Sequence, residues 1–335
     1  MLKLELYKLF KRKLVWVLLL VLLAYALYTD ITDILDRDNE RMQYELEQYE
    51  AAKGILTDER LESFYKDYEP AGFDDFEDGF VEDGKLKKIS EIYPDIDFDL
   101  HFGYSSYWAW RLVALGEFMM YVIAFVLVVF SMTFTYERQC GMQEILLYTK
   151  NGRRKAVWAK ITGAVFTTNI VCLLALVLML APVFILTKGV GWDTSVQMTS
   201  WMRASQVDVN HLTLIFHTVF LSFMAVNAVL LLTLLISFVA KSSMVALCST
   251  LIVLVVLYPN FLAVSLGNHV IARITSLSPL SVVNILNTID QKPFQVGNLK
   301  IHCLTVAEII YPLLLAVEGL LLFRIVTRKQ KYYVS

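Results

Sequence analysis

The sequence predicts an all-α integral membrane protein: six transmembrane helices, an N-terminal interfacial helix, and a mostly helical extracellular domain between helices 1 and 2. Three observations predict it. Hydrophobic residues make up 57% of the 335 and mean hydropathy is +0.54, values typical of membrane proteins. Apolar runs long enough to cross ~30 Å of hydrocarbon recur along the chain. Charge is segregated: residues 29–110 hold 23 Asp and Glu against 8 Lys and Arg, while the remainder holds 9 against 22. An acidic loop between basic flanks is what a fixed orientation across a bilayer looks like.

Met1 to Lys13 places Leu2, Leu6, Leu9 and Phe10 on one side and Lys3, Lys8, Lys11 and Arg12 on the other. That is the pattern of a helix lying in the membrane interface. The first span, Leu14–Tyr28, is short of the ~20 residues a crossing needs, so the helix is expected to continue past Asp30. A cleaved leader is the rival reading, because Ala24-Tyr25-Ala26 resembles a small-x-small processing site. Residues 1–28 therefore form the elbow helix and first span, and 29–110 an acidic external domain. Within it Ile31, Leu35, Met42, Leu46 and Tyr49 keep a helical rhythm up to Gly54, and a second helix is predicted from Thr57 through Leu61, Phe64, Tyr65 and Tyr68. Strict alternation from Asp95 to Phe102 predicts an extended segment.

Residues 111–335 hold the remaining spans: Leu112–Tyr136, Ile161–Thr187, Leu212–Ala240, Met244–Leu266 and Cys303–Phe323. Basic residues in short flanks, Lys3 to Lys13, Arg138 to Lys160, Lys241, and Arg324 to Lys331, place both termini in the cytoplasm of a plasma-membrane protein. The apolar run around Ser278-Pro279-Leu280 is too short to cross and is expected to dip back into the outer leaflet, buried against other helices. Pro259 and Pro312 are expected to end or kink the fifth and sixth spans.

Chemistry is mostly excluded. There is no phosphate-binding Gly-x-x-x-x-Gly-Lys-Ser/Thr loop, no His-Glu-x-x-His and no Gly-x-Ser-x-Gly. The stretch from Asp74 fails as a calcium loop, because Phe76 and Lys85 stand where ligands belong. Asp95, Asp97 and Asp99 form a row that a cation could use, although a solvated acidic surface explains them as well. Cys140, Cys172, Cys248 and Cys303 are scattered and read as packing residues, not a disulfide or zinc framework. The chain is expected to bind no cofactor and no nucleic acid, and to be no enzyme by itself. Glu117, Glu308 and Glu318 lie within predicted spans, where a carboxylate costs several kcal/mol unless it faces a cavity or partner. They are candidates for a translocation path, with snorkelling the alternative for Glu117 and Glu308.

One segment stands out between the second and third spans. Met142, Ile145, Leu146 and Thr149 fall on one helical face, Asn151-Gly152 supplies a stop, and Arg153, Arg154 and Lys155 follow. Such a basic amphipathic insert, about 139–151, can fill a groove on a soluble partner or lie on anionic lipid.

Glu137-x-x-x-Gly141 closing the second span, then Glu144-Ile145-Leu146-Leu147-Tyr148-Thr149, Gly152-Arg153 and Lys160, resembles the cytoplasmic signature of ABC-2-type transporter permeases. The likeness extends to the elbow helix, the large first external loop, the Lys241-Ser242-Ser243 turn and the Ser278-Pro279-Leu280 segment. It departs at Met142, where many members have Thr, and at Lys150-Asn151-Gly152, where many have proline before the arginine. The resemblance implies that the insert is a coupling helix docking on a separate ATPase subunit, which holds the ATP and Mg. Glu137, Gly141, Met142, Glu144, Ile145, Leu146, Arg153 and Arg154 are then the coupling residues. It further implies an exporter of a peptide, drug or lipid-like substrate, built as a homodimer or as a heterodimer with a related permease. A membrane sensor or scaffold, whose 82-residue external domain binds a peptide or envelope component, is the other reading.

Overall fold

The computed structural model describes residues 2–36, 46, 47, 49, 50, 53–68, 81, 82, 85–93, 96, 98–141, 152–199, 202, 203, 205–256, 273–289, 291–296 and 299–328. Among the described residues four stretches are long and apolar enough to cross a membrane: Tyr107–Gln139, Lys155–Thr187, His211–Val239 and Cys303–Val326. Two shorter apolar helices, Lys13–Thr29 and Ser243–Val256, accompany them.

Helix α1 (Leu2–Phe10) is followed by α2 (Lys13–Asp36). The corner is pinned by Trp16, whose indole N–H donates to the Phe10 carbonyl at 2.6 Å while its ring lies 5.9 Å from that of Phe10. α2 does continue past Asp30. It buries Val15, Leu22 and Ala26, spaced by seven and four residues along one stripe.

Of the expected stalk, residues 30–36 belong to α2 and residues 46, 47, 49 and 50 are helical; 37–45, 48, 51 and 52 lie outside the described residues. Gly54 does not simply stop a helix. It opens strand β1 (Gly54–Ile55), at φ +144°, a region that favours glycine. α3 (Asp58–Tyr68) matches the second predicted helix and buries Leu61. Strands β2 (Val81–Glu82) and β3 (Lys85–Leu86) pair antiparallel, a short helix α4 (Ile89–Ile92) follows, and β4 (His101–Phe102) pairs back onto β1. The extended run expected over 95–102 is thus regular only at its end, with Asp95 and Asp97 outside the described residues.

The core is built from α5 (Ser106–Phe130), α6 (Met132–Gln139), α7 (Gly152–Thr187), α8 (His211–Val239), α9 (Ser243–Val256) and α12 (Cys303–Arg328). α8 is apolar on every side and is the hub, packing on the other five. Two of its hydroxyls bond to their own helix: Thr218 and Thr233 each donate to the carbonyl four residues back, at 2.7 Å. Asn210 caps it, accepting from the Thr213 N–H at 2.8 Å. Where α7 meets α8, Asn169 and Asn227 exchange hydrogen bonds at 3.3 and 2.9 Å, and each also donates 2.8 Å to a carbonyl of its own helix.

Between α9 and α12 come α10 (Pro279–Val283) and α11 (Leu286–Ile289). As expected of a short apolar segment, α10 is packed inward, burying Ser281, Val282 and Val283 against α5 and α8. Gly116 of α5 makes room: a Cβ there would stand 2.9 Å from the Asn284 Cα. Strands β5 (Phe294–Val296) and β6 (Leu299–Ile301) then lead into α12. Pro312 does not end that helix, which runs on to Arg328, and the proline sits on its exposed face. Pro259 lies outside the described residues.

The connection from α7 to α8 folds onto the acidic segment. His101 and Ser195 exchange two bonds, with the His101 N–H donating to Ser195 Oγ at 2.8 Å and the Ser195 N–H to the His101 carbonyl at 2.9 Å. The Tyr93 hydroxyl donates 3.0 Å to the Gln197 carbonyl, and burial pushes its pKa up to about 12. Buried His211 places Nδ1 2.9 Å from the Thr194 carbonyl.

Candidate functional site

The expected insert begins where α6 ends. Gln139 is the last residue of α6, Cys140 is its cap, and Gly141 follows at φ +68°, the left-handed turn that commonly terminates a helix. Among the described residues no atom within 4 Å would meet a Cβ there, and the backbone angle is one that favours glycine. Met142, Glu144, Ile145 and Leu146 lie outside the described residues. The chain is described again from Gly152, which opens α7; Arg153 and Arg154 lie in its first turn.

Glu137 and Lys160 are 23 positions apart in sequence and meet at the root of the insert. The Glu137 carboxylate is 2.5 Å from the Lys160 ammonium, whose side chain is only 6% exposed against 17% for its partner. Burial of a lysine requires such compensation. Its remaining surroundings suit a cation: the Thr133 carbonyl lies 3.5 Å away and the Phe134 ring 5.7 Å below. Lys8 of α1 approaches Glu137 at 4.0 Å and pairs with Glu5 at 2.9 Å. One carboxylate therefore ties together α6, α7 and, more loosely, α1.

Arg138, next to it, faces the other way. Its guanidinium donates to three carbonyls at the C-terminus of α8: Phe238 at 2.6 Å, Val239 at 3.2 Å and Ala240. These are acceptors with no intrahelical partner, at the negative end of the helix dipole. The same joint is reinforced by Ser237 Oγ, which accepts from the Phe134 N–H at 3.3 Å and donates to the Ser131 carbonyl at 2.8 Å. Phe134 and Phe238 meet edge to face at 5.2 Å. Sequence reading took Arg138 only as a positive flank. That it caps a helix 100 residues away has no local signal.

The three span carboxylates are not brought together. Glu117 is exposed on α5 beside Tyr25 of α2, whose ring is 4.7 Å from Tyr121. Glu308 pairs with His217 across the α8–α12 contact. Nothing in the sequence signals that partner, since His217 and Glu308 are 91 residues apart. Glu318 is 7% exposed. It belongs to the inward stripe Ala307, Tyr311, Glu318, Leu322 and Val326, all buried. Its Oε2 has no hydrogen-bond partner among the described residues. Of the three it is the one held against protein, as its depth in the sixth span suggests.

Among the described residues no group of His, Cys, Asp and Glu could hold a metal ion. All four cysteines are free thiols; Cys172 and Cys303 are buried packing residues, but Cys140 and Cys248 are exposed.

Comparison with known proteins agrees with this architecture. No curated protein and no solved structure matches the chain. A family profile described as ABC-2 family transporter protein matches residues 1–324. A match over nearly the whole chain, from elbow helix to the last long helix, shows that this protein belongs to the ABC-2 family of membrane transport permeases.

Proposed function

We propose that the chain is the membrane half of an ATP-driven exporter, crossing the bilayer six times with both ends in the cytoplasm. Residues 139–151 form its coupling helix and dock on a separate ATPase subunit that holds ATP and Mg. Two such permeases, identical or related, face each other, and the acidic segment 29–110 lies outside. ATP-driven closure of the ATPase pair pushes the coupling helices, and the permease halves rock to release a peptide, drug or lipid-like cargo.

The observation that carries this reading is the joint at the root of the insert. Glu137–Lys160 locks the two helices that bracket residues 142–151 to each other, and Arg138 locks them to the hub helix α8. A push on the insert is then delivered to the centre of the bundle. Glu318, buried on α12 facing protein, is the carboxylate best placed to border a translocation path.

The test is co-purification and vesicle transport with Ile145→Asp. A carboxylate on the apolar stripe should abolish capture of the ATPase and ATP-driven transport while leaving the membrane-inserted chain intact. Full transport by the variant, or capture of a kinase or envelope enzyme in place of an ATPase, would sink the proposal and favour the sensor reading.

A further inference from the structure

The elbow helix does not lie flush on the bundle. Between α1, α6 and α7 is a cavity of about 350 Å³, within the ~300–1,000 Å³ range of small-ligand sites. Its floor is apolar, with Leu6, Leu9, Phe130 and Ala164, and its mouth carries Lys8, Lys11 and Arg12. Two of its bases are neutralised: Lys160 by Glu137 and Lys8 by Glu5. Lys11 and Arg12 are not. Among the described residues no carboxylate pairs with either; each has only a ring beside it, Tyr7 at 5.8 Å and Tyr136 at 5.4 Å. The site thus holds two uncompensated cations over an apolar floor. α1 exposes Leu2, Leu4, Tyr7 and Phe10 beside it, which places the cavity at the depth of the polar headgroups.

We infer that this cavity is a binding site for the headgroup of an anionic phospholipid. The phosphate accepts charge-assisted hydrogen bonds from Lys11 and Arg12, and an acyl chain lies along Leu6 and Leu9. A free phosphate would satisfy the cations but leave the apolar floor wet. A zwitterionic lipid would cover the floor while bringing its own cation to the mouth. Because Glu137 and Lys160 form the inner wall, the bound lipid sits against the joint that carries the insert. Assignment to the inner leaflet rests on the cytoplasmic placement of the termini proposed above; the site itself does not.

The experiment is thermal denaturation of the purified full-length chain in a neutral detergent, titrated in parallel with phosphatidylglycerol, phosphatidylcholine and inorganic phosphate. Phosphatidylglycerol alone should raise the melting temperature saturably, with a half-effect concentration that increases with salt. Lys11→Ala with Arg12→Ala should raise that concentration at least tenfold. Lys3→Ala, which removes one positive charge from α1 away from the cavity, should leave it unchanged. If the double variant does not express, Lys11→Gln alone should raise it severalfold. Equal stabilisation by phosphatidylcholine or by phosphate, or equal weakening by Lys3→Ala, overturns the assignment. No ATPase is present in this measurement, so failure of the exporter reading, seen as absence of an ATPase partner, leaves the result standing.

Discussion

At the residue scale, the Glu137–Lys160 pair makes an asymmetric prediction. Lys160 is the more deeply buried partner and, among the described residues, Glu137 is its ionic counterpart, whereas Glu137 retains some exposure and a second cation, Lys8, at 4.0 Å. Glu137→Gln strands a buried ammonium and should cost ~3–5 kcal/mol. Lys160→Met removes the charge that needed burial and should cost much less, and in the double variant it should recover most of the loss. Detergent melting curves for the four proteins form the double-mutant cycle; equal penalties for the two single changes would show that the pair is not desolvated as described. Both residues were visible in the sequence as separate parts of a signature. Their contact was not, since nothing local in the 22 intervening positions says which carboxylate faces which lysine. In the sequence Gly141 reads as a coupling residue within the insert, with the helix stop placed at Asn151-Gly152; the turn that ends α6 is at Gly141, and Gly152 opens α7.

At the element scale, helix positions were the most readable feature and helix partnerships the least. The apolar runs of α5 to α8 and α12 announce themselves by composition, whereas the acidic segment does not. Its alternating residues near Phe102 pair with Gly54, a contact fixed by tertiary packing and not by the run itself. Arg138 shows the same limit: a basic flank in sequence is, in space, the cap of α8. Arg138→Gln removes charged hydrogen bonds worth about 1.5–3 kcal/mol and frees the end of α8. The expected outcome is a lower melting temperature, unchanged capture of the ATPase, and less cargo moved per ATP hydrolysed in reconstituted vesicles. Destabilisation without any change in that ratio would reduce Arg138 to a structural cap.

At the scale of the whole molecule, orientation is the property that every functional statement depends on. The exposed thiol Cys140, at the end of α6, and Lys53, beside β1, lie on opposite sides if the basic flanks are cytoplasmic. A membrane-impermeant maleimide applied to intact cells should label a Lys53→Cys protein at that position and reach Cys140 only after permeabilisation. Labelling of Cys140 in intact cells reverses the topology. The charge contrast between residues 29–110 and the rest is the feature of the composition on which that expectation rests. What composition could not reveal is that the described end of the acidic segment is stitched to the α7–α8 connection, by the Tyr93 bond to Gln197 and the paired bonds of His101 and Ser195.

The reciprocal amides of Asn169 and Asn227 bear on how such a molecule can move. Each amide nitrogen is shared between its own helix and its neighbour, so a slide of α7 along α8 by even one turn would strand polar groups in hydrocarbon. Glu137–Lys160 and Arg138 fasten the same helices at their basic ends, so α6, α7 and α8 are tied to one another at two levels. α12 is joined to this group through its packing on α8 and the Glu308–His217 pair, while its opposite face from Ile309 to Phe323 is largely exposed.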